Sequence, residues 1–229
     1  MRYRISSSSY AAFELTIDGQ KLSGKLHGAK GVFEVDLMHL SQSRGKVKFD
    51  LASLEIDGQK NASHTEEDRT RALDWLDLGR GRLDPERERQ RWTTFSLLEI
   101  GHPSAEAPHL ARLIRNREPA DTRRGQRTAG EGEARFVAFE ATGAFLLHSV
   151  VVEQSVPLRA EFRYPVPATP GATPSQIVLS TRHPFSVFLK QHQILPRDPA
   201  GVLLASMLSA LSRDLGRPVL VSVELLLEP

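Results

Sequence analysis

Along much of the chain, apolar residues fall on every second position with polar residues between them. "AFELTID" alternates Phe13, Leu15 and Ile17 with Glu14, Thr16 and Asp18. "VFEVDL" sets Phe33, Val35 and Leu37 against Glu34 and Asp36, and "KVKFDL" sets Val47, Phe49 and Leu51 against Lys46, Lys48 and Asp50. "VPLRAEFRY" does the same with Val156, Leu158, Ala160, Phe162 and Tyr164. In "PVLVSVELLLE", Val219, Val221, Val223, Leu225 and Leu227 share one face, while the other face is mixed. Successive side chains of a strand point to opposite faces, so each stretch reads as a strand with one apolar and one wet side. Gly19, Gly24, Gly28, Gly31 and Gly45 punctuate the gaps as hairpin turns require. These rules give about eight to ten strands. One-sided alternation makes them antiparallel, because parallel strands are usually buried on both faces.

Two segments break the strand rhythm. "SHTEEDRTRALDWLDLG" predicts a helix that Thr65 caps and Gly79 ends, with Ala72, Leu73, Trp75, Leu76 and Leu78 as the stripe that docks on a sheet. "RDPAGVLLASMLSALSRDLG" predicts a second helix at about 201–215, with Asp198 and Pro199 at its start and Gly216 at its end. Residues 101–134, rich in Arg, Ala, Gly, Pro and Glu, read as a long insertion with one short helix near His109 to Arg115. Its cluster of arginines could touch an acidic partner or an anionic headgroup. The run "ERERQRW" reads as a solvated loop or helix end.

Short helices among many antiparallel strands predict a mainly β chain, residues 1–229 forming a single domain closed into a barrel or folded as a sandwich. An eight-stranded barrel is either filled by its own side chains or holds one small ligand. Phe13, Phe33, Phe49, Phe95, Phe136, Phe139, Phe145 and Phe162 all lie on strand-like segments. Alternation alone leaves open whether these rings fill the interior or line it.

The chain has 229 residues, 40% hydrophobic and 25% charged, enough for a sizeable core. Thirty basic residues against twenty-eight acidic ones leave a net charge of +2, which gives no argument for a nucleic-acid partner. Cysteine is absent, which excludes disulfides, thiolate metal sites and a cysteine nucleophile. No apolar h-region follows "MRYRISSSSY", and no stretch of about 18 apolar residues could span a membrane. The expected location is the cytoplasm, or the periplasm if a leader has been removed.

No "GxSxG", phosphate loop or "HExxH" is present. His183 and His192 lie nine apart, on opposite faces of any regular strand, so no metal site is expected. The expectation is a protein without catalysis. An acid–base enzyme using a histidine at a barrel mouth is the weaker alternative.

The order of several segments resembles the YceI-like family. "YRISSSSYAAFEL", "SGKLHGAKGVFEVDL" and "GKVKFDLASLEIDG" are followed by "DRTRALDWLDL", "TTFSLLEI" and "GAFLLHSV". They follow that family's opening strand, Gly-rich hairpin, Arg-Asp helix with an aromatic-Asp step, Phe-x-Ser strand and hairpin ending in His-Gly. Here the Gly after His148 is Ser149, and the helix carries its pair in the order Asp68-Arg69.

The resemblance implies an antiparallel lipocalin-like β-barrel whose apolar lumen holds an isoprenoid quinone, a polyprenyl compound or a fatty-acid-like lipid, with no other cofactor. It makes Phe13, Leu15, Phe33, Val35, Leu37, Val47 and Phe49 candidates for the lumen. Phe95, Phe136, Phe145, Leu158, Phe162, Val221 and Val223 complete that set. His148 is either a hydrogen-bonded structural histidine or a contact to a lipid headgroup at the mouth. The alternative function is a protein-interaction module with a side-chain-filled barrel. It would meet a protein partner, or a second copy as a homodimer, through the 201–215 helix or the basic insertion.

Overall fold

The computed structural model describes residues 1–17, 20–57, 62–79, 84–104, 110, 134–165, 171–196 and 216–229. The expected 201–215 helix and almost all of the 101–134 insertion, including its short helix, lie outside the described residues. In chain order the elements are β1 (Arg2–Ile5), β2 (Tyr10–Ile17), β3 (Gln20–Leu26), β4 (Lys30–Glu34), β5 (Arg44–Asp50) and β6 (Glu55–Ile56). Two helices follow, α1 (Ala62–Trp75) and α2 (Asp84–Gln90). The chain continues with β7 (Trp92–Gly101), β8 (Ala134–Leu147), β9 (Val150–Arg163), β10 (Gln176–Thr181), β11 (Phe185–Val187) and β12 (Val219–Glu228). The strands that pattern reading passed over include β6 and β11, too short to show an alternation. The run expected to be a loop or helix end is α2, a helix with Pro85 beside its first residue, where a missing N–H does no harm.

All the pairings are antiparallel, as one-sided alternation requires. Eight strands close into a hydrogen-bonded ring in the order β1-β4-β5-β7-β8-β9-β10-β12, with β12 returning to β1. Closure leaves these strands without the open edges of a flat sheet. β12 is the branch point. Its first half pairs with β2 and β11, and its second half with β10 and β1. β3 and β6 extend the wall beyond β2.

The register puts one set of each alternation inside. Phe33 faces Gly45, Val47 faces Phe95, Phe95 faces Phe145 and Leu158 faces Phe139 across neighbouring strands. Lys46, Lys48 and Arg159, on the alternate positions, point outward and remain at least partly exposed.

α1 begins by Ala62, so Thr65 lies inside the helix and is not its cap. Gly79 is not its terminator either. The stop is Asp77, held at φ 58°. Asp77 N–H bonds the carbonyl of Asp74 (3.1 Å) and Leu78 N–H that of Leu73 (2.8 Å), the paired bonds of a Schellman turn. The left-handed position of that turn usually takes glycine, so an aspartate there calls for a compensating contact. That contact is to His148, described below.

Candidate functional site

The ring encloses a cavity of about 270 Å³ with an almost wholly apolar lining. A dry apolar cavity of about 150 Å³ already takes benzene. Phenylalanines line the cavity without filling it, because several rings lie over glycines of the next strand. A methyl group on Gly45 would collide with the Phe33 ring, one on Gly24 with Phe13 and one on Gly143 with Phe95. Each glycine leaves the space in which a ring lies back against the wall.

The expected lumen residues line this cavity, with two exceptions. Phe136 is buried at an outward position, one residue out of phase with Val137 and Phe139, and the Arg159 guanidinium stands 4.5 Å over its ring. Leu37 follows the end of β4, where the Asp36 carboxylate accepts the N–H groups of Met38 and His39 (both 2.8 Å) and turns the chain away. Those two bonds hold the Asp36 carboxyl below the ordinary aspartate value. Of the alternation in "VPLRAEFRY", Val156, Leu158, Ala160 and Phe162 face the cavity. Tyr164 lies beyond it, buried, its hydroxyl donating to the Leu110 carbonyl (3.3 Å).

The two ends differ. At one, Tyr3 and Tyr164 are 1% and 2% exposed and do not reach the cavity lining. The Tyr3 hydroxyl donates to the Pro174 carbonyl (3.0 Å). Burial pushes both phenols up to about 12. At the other end α1 lies over the cavity, contributing Asp68, Arg71, Ala72 and Trp75 to its lining, with Leu76 just past its last residue. Arg69 fastens this helix by donating to the carbonyls of Leu54 (2.8 Å) and Ala52 (3.4 Å). Arg71 bonds Asp68 (3.3 Å). Sequence reading named Asp68 only as half of the Asp68-Arg69 pair and missed Arg71. The missed signal was their spacing from Trp75, which puts all three on one helix face.

His148, considered for a headgroup contact, is not among the residues that line the cavity. It is buried in the two-residue turn between β8 and β9, with His148 at φ 50° and Ser149 at φ 61°. Two positive φ values mark the tight turn that best suits strand twist and usually takes Asn-Gly. Nε2 of His148 lies 2.9 Å from the Asp77 carboxylate and Nδ1 lies 3.1 Å from the His192 carbonyl. Each ring nitrogen thus has a hydrogen-bond neighbour, one on the helix turn and one on the segment after β11. The aromatic-Asp step of the helix and the histidine of the hairpin, far apart in sequence, thus meet in one buried contact.

His192 packs edge-on to Phe145, centroids 5.3 Å apart. Burial pushes its imidazole below the ordinary value, against the opposing pull of the Val150 and Leu147 carbonyls. His183 is exposed. Among the described residues, no three metal-ligating side chains converge.

No family model and no curated protein matches the chain. Solved structures do. A polyisoprenoid-binding domain from Saccharophagus degradans, implicated in plant cell wall breakdown, is similar over 99% of this chain and 97% of its own, at 13% identity and a TM-score of 0.52. BcnA from Burkholderia cenocepacia is similar over 95% of this chain and 94% of its own, at 10% identity and a TM-score of 0.51. The YceI protein of Campylobacter jejuni aligns over 90% of this chain and 84% of its own, at 11% identity and a TM-score of 0.43. At these identities the first two comparisons establish a shared fold. The resemblance read from the order of sequence segments is met at that level.

Proposed function

We propose that the protein binds a long-chain isoprenoid or similar amphiphilic lipid in the cavity, without covalent chemistry. The observation that carries this reading is the hollow apolar interior, shut by tyrosines at one end and covered by a helix at the other. Each methylene removed from water contributes about 0.8 kcal/mol, so a tail of about ten buried carbons contributes on the order of 8 kcal/mol before ordering costs. Charges and catalytic groups are not needed to hold such a chain. The fold shared with a polyisoprenoid-binding domain supports the reading. The alternative of an interaction module drew on a filled barrel, and the cavity argues against that packing.

Mass spectrometry of organic extracts from the purified protein tests the proposal. A copurifying long-chain lipid is the expected result, and Phe33→Arg should abolish its recovery by placing a charge in the lumen. A clean extract, together with no uptake of N-phenyl-1-naphthylamine, would overturn it.

A further inference from the structure

The face of α1 that covers the cavity carries a polar group without a partner. Asp68, Arg71, Ala72, Trp75 and Leu76 recur at the three-and-four spacing of a single helix face and all border the cavity. Trp75 is 6% exposed, and its Nε1–H is buried with no acceptor among the described residues. Several other polar groups at the cavity have partners. The Thr93 hydroxyl donates to the Leu146 carbonyl (2.8 Å), the Ser43 hydroxyl accepts the Asp36 N–H (3.0 Å), and Arg71 bonds Asp68 (3.3 Å).

Indole nitrogen is a donor only, and a buried donor left unbonded is destabilising. Such an orphan in a native fold calls for an explanation. Packing does not supply one, because a phenylalanine would fill much of the same space with no donor to satisfy.

We propose that Trp75 Nε1–H donates a hydrogen bond to the polar end of the bound ligand. This rests on the cavity reading above and narrows it. The ligand is a long apolar chain bearing a hydrogen-bond acceptor, such as a ketone, a quinone carbonyl or an ether, seated under α1. A bare hydrocarbon leaves the indole unbonded, and a terminal ammonium offers it no lone pair. Arg71, one turn earlier on the same face, is a second donor at the rim.

The test compares 2-tridecanone with n-tridecane, each displacing N-phenyl-1-naphthylamine from the full chain. Trp75→Phe keeps an aromatic ring and removes the donor. It should lower the ketone-to-hydrocarbon affinity ratio about tenfold while leaving the hydrocarbon unchanged. A second readout needs no change at Trp75. In Trp92→Phe protein, the single remaining indole N–H resonance should move downfield with 2-tridecanone and stay in place with n-tridecane. An unchanged affinity ratio in Trp75→Phe, or an indole signal that ignores the ketone, would overturn the inference while leaving the cavity reading intact. Displacement by neither probe would overturn both.

Discussion

At one end of the ring, Tyr3 and Tyr164 are buried with neutral hydroxyls bonded to carbonyls. At the other, α1 is held by charged side chains, Arg69 to backbone carbonyls and Asp77 to His148. The first end is closed by the wall's own apolar packing. The second is closed by a separate element, which joins the apolar cluster through Trp75 and Leu78 and is tied to the wall by Arg69 and Asp77. A separate element can lift away without parting the strands of the wall, so under the proposed function the helix end is where a ligand is expected to exchange.

The largest expected effect sharpens this contrast at the tyrosine end. Phe162→Ala removes a ring that is 2% exposed and should cost about 3–5 kcal/mol in urea unfolding. Hydrogen exchange in α1 should change only as far as global stability does. His148→Ala at the helix end removes one partner of the Asp77 carboxylate and should cost about 1–3 kcal/mol. Here α1 amides should exchange selectively faster and a bound probe should dissociate faster. Equal exchange across the molecule would erase the distinction between the ends.

Gly45→Ala acts on the wall between them. It should push the Phe33 ring into the lumen, cost about 1–3 kcal/mol and weaken probe binding.

The smallest effects come from pH, and the two ends should answer to opposite extremes. A phenol raised to about 12 in the fold stabilises fully below the unfolded value near 10 and loses that contribution as pH rises toward 12. His192 is lowered in the fold, so the unfolded chain takes up its proton first. Its contribution is present above about 6.5 and is lost as pH falls below that. Tyrosine absorbance titration and urea midpoints between pH 5 and 7 measure the two. His192→Gln should flatten the acid side alone.

The inner faces were legible in the sequence because alternation is local and strict. Phe13, Phe33, Phe49 and Phe162 could be placed from their own neighbours. Phe136 could not, since β8 alternates from Val137 and a run of apolar residues at 136–139 hides the phase. Whether the rings filled or lined the interior was illegible, because it depends on Gly24, Gly45 and Gly143 lying across a strand boundary from Phe13, Phe33 and Phe95. The partnership of Asp77 with His148 spans 71 positions, and no periodicity carries that far.

β12 touches β1, β2, β10 and β11 and follows every other strand among the described residues. On a ribosome the wall therefore cannot shut until Val219–Glu228 has emerged, and four strands meanwhile present unsatisfied backbone to their surroundings. A contact between β1 and β12 closes a long loop and is slow to form, so a nascent chain is exposed to self-association until β12 has emerged. Loss of β12 would leave an open sheet with its greasy side showing, a natural target for holding chaperones and proteases.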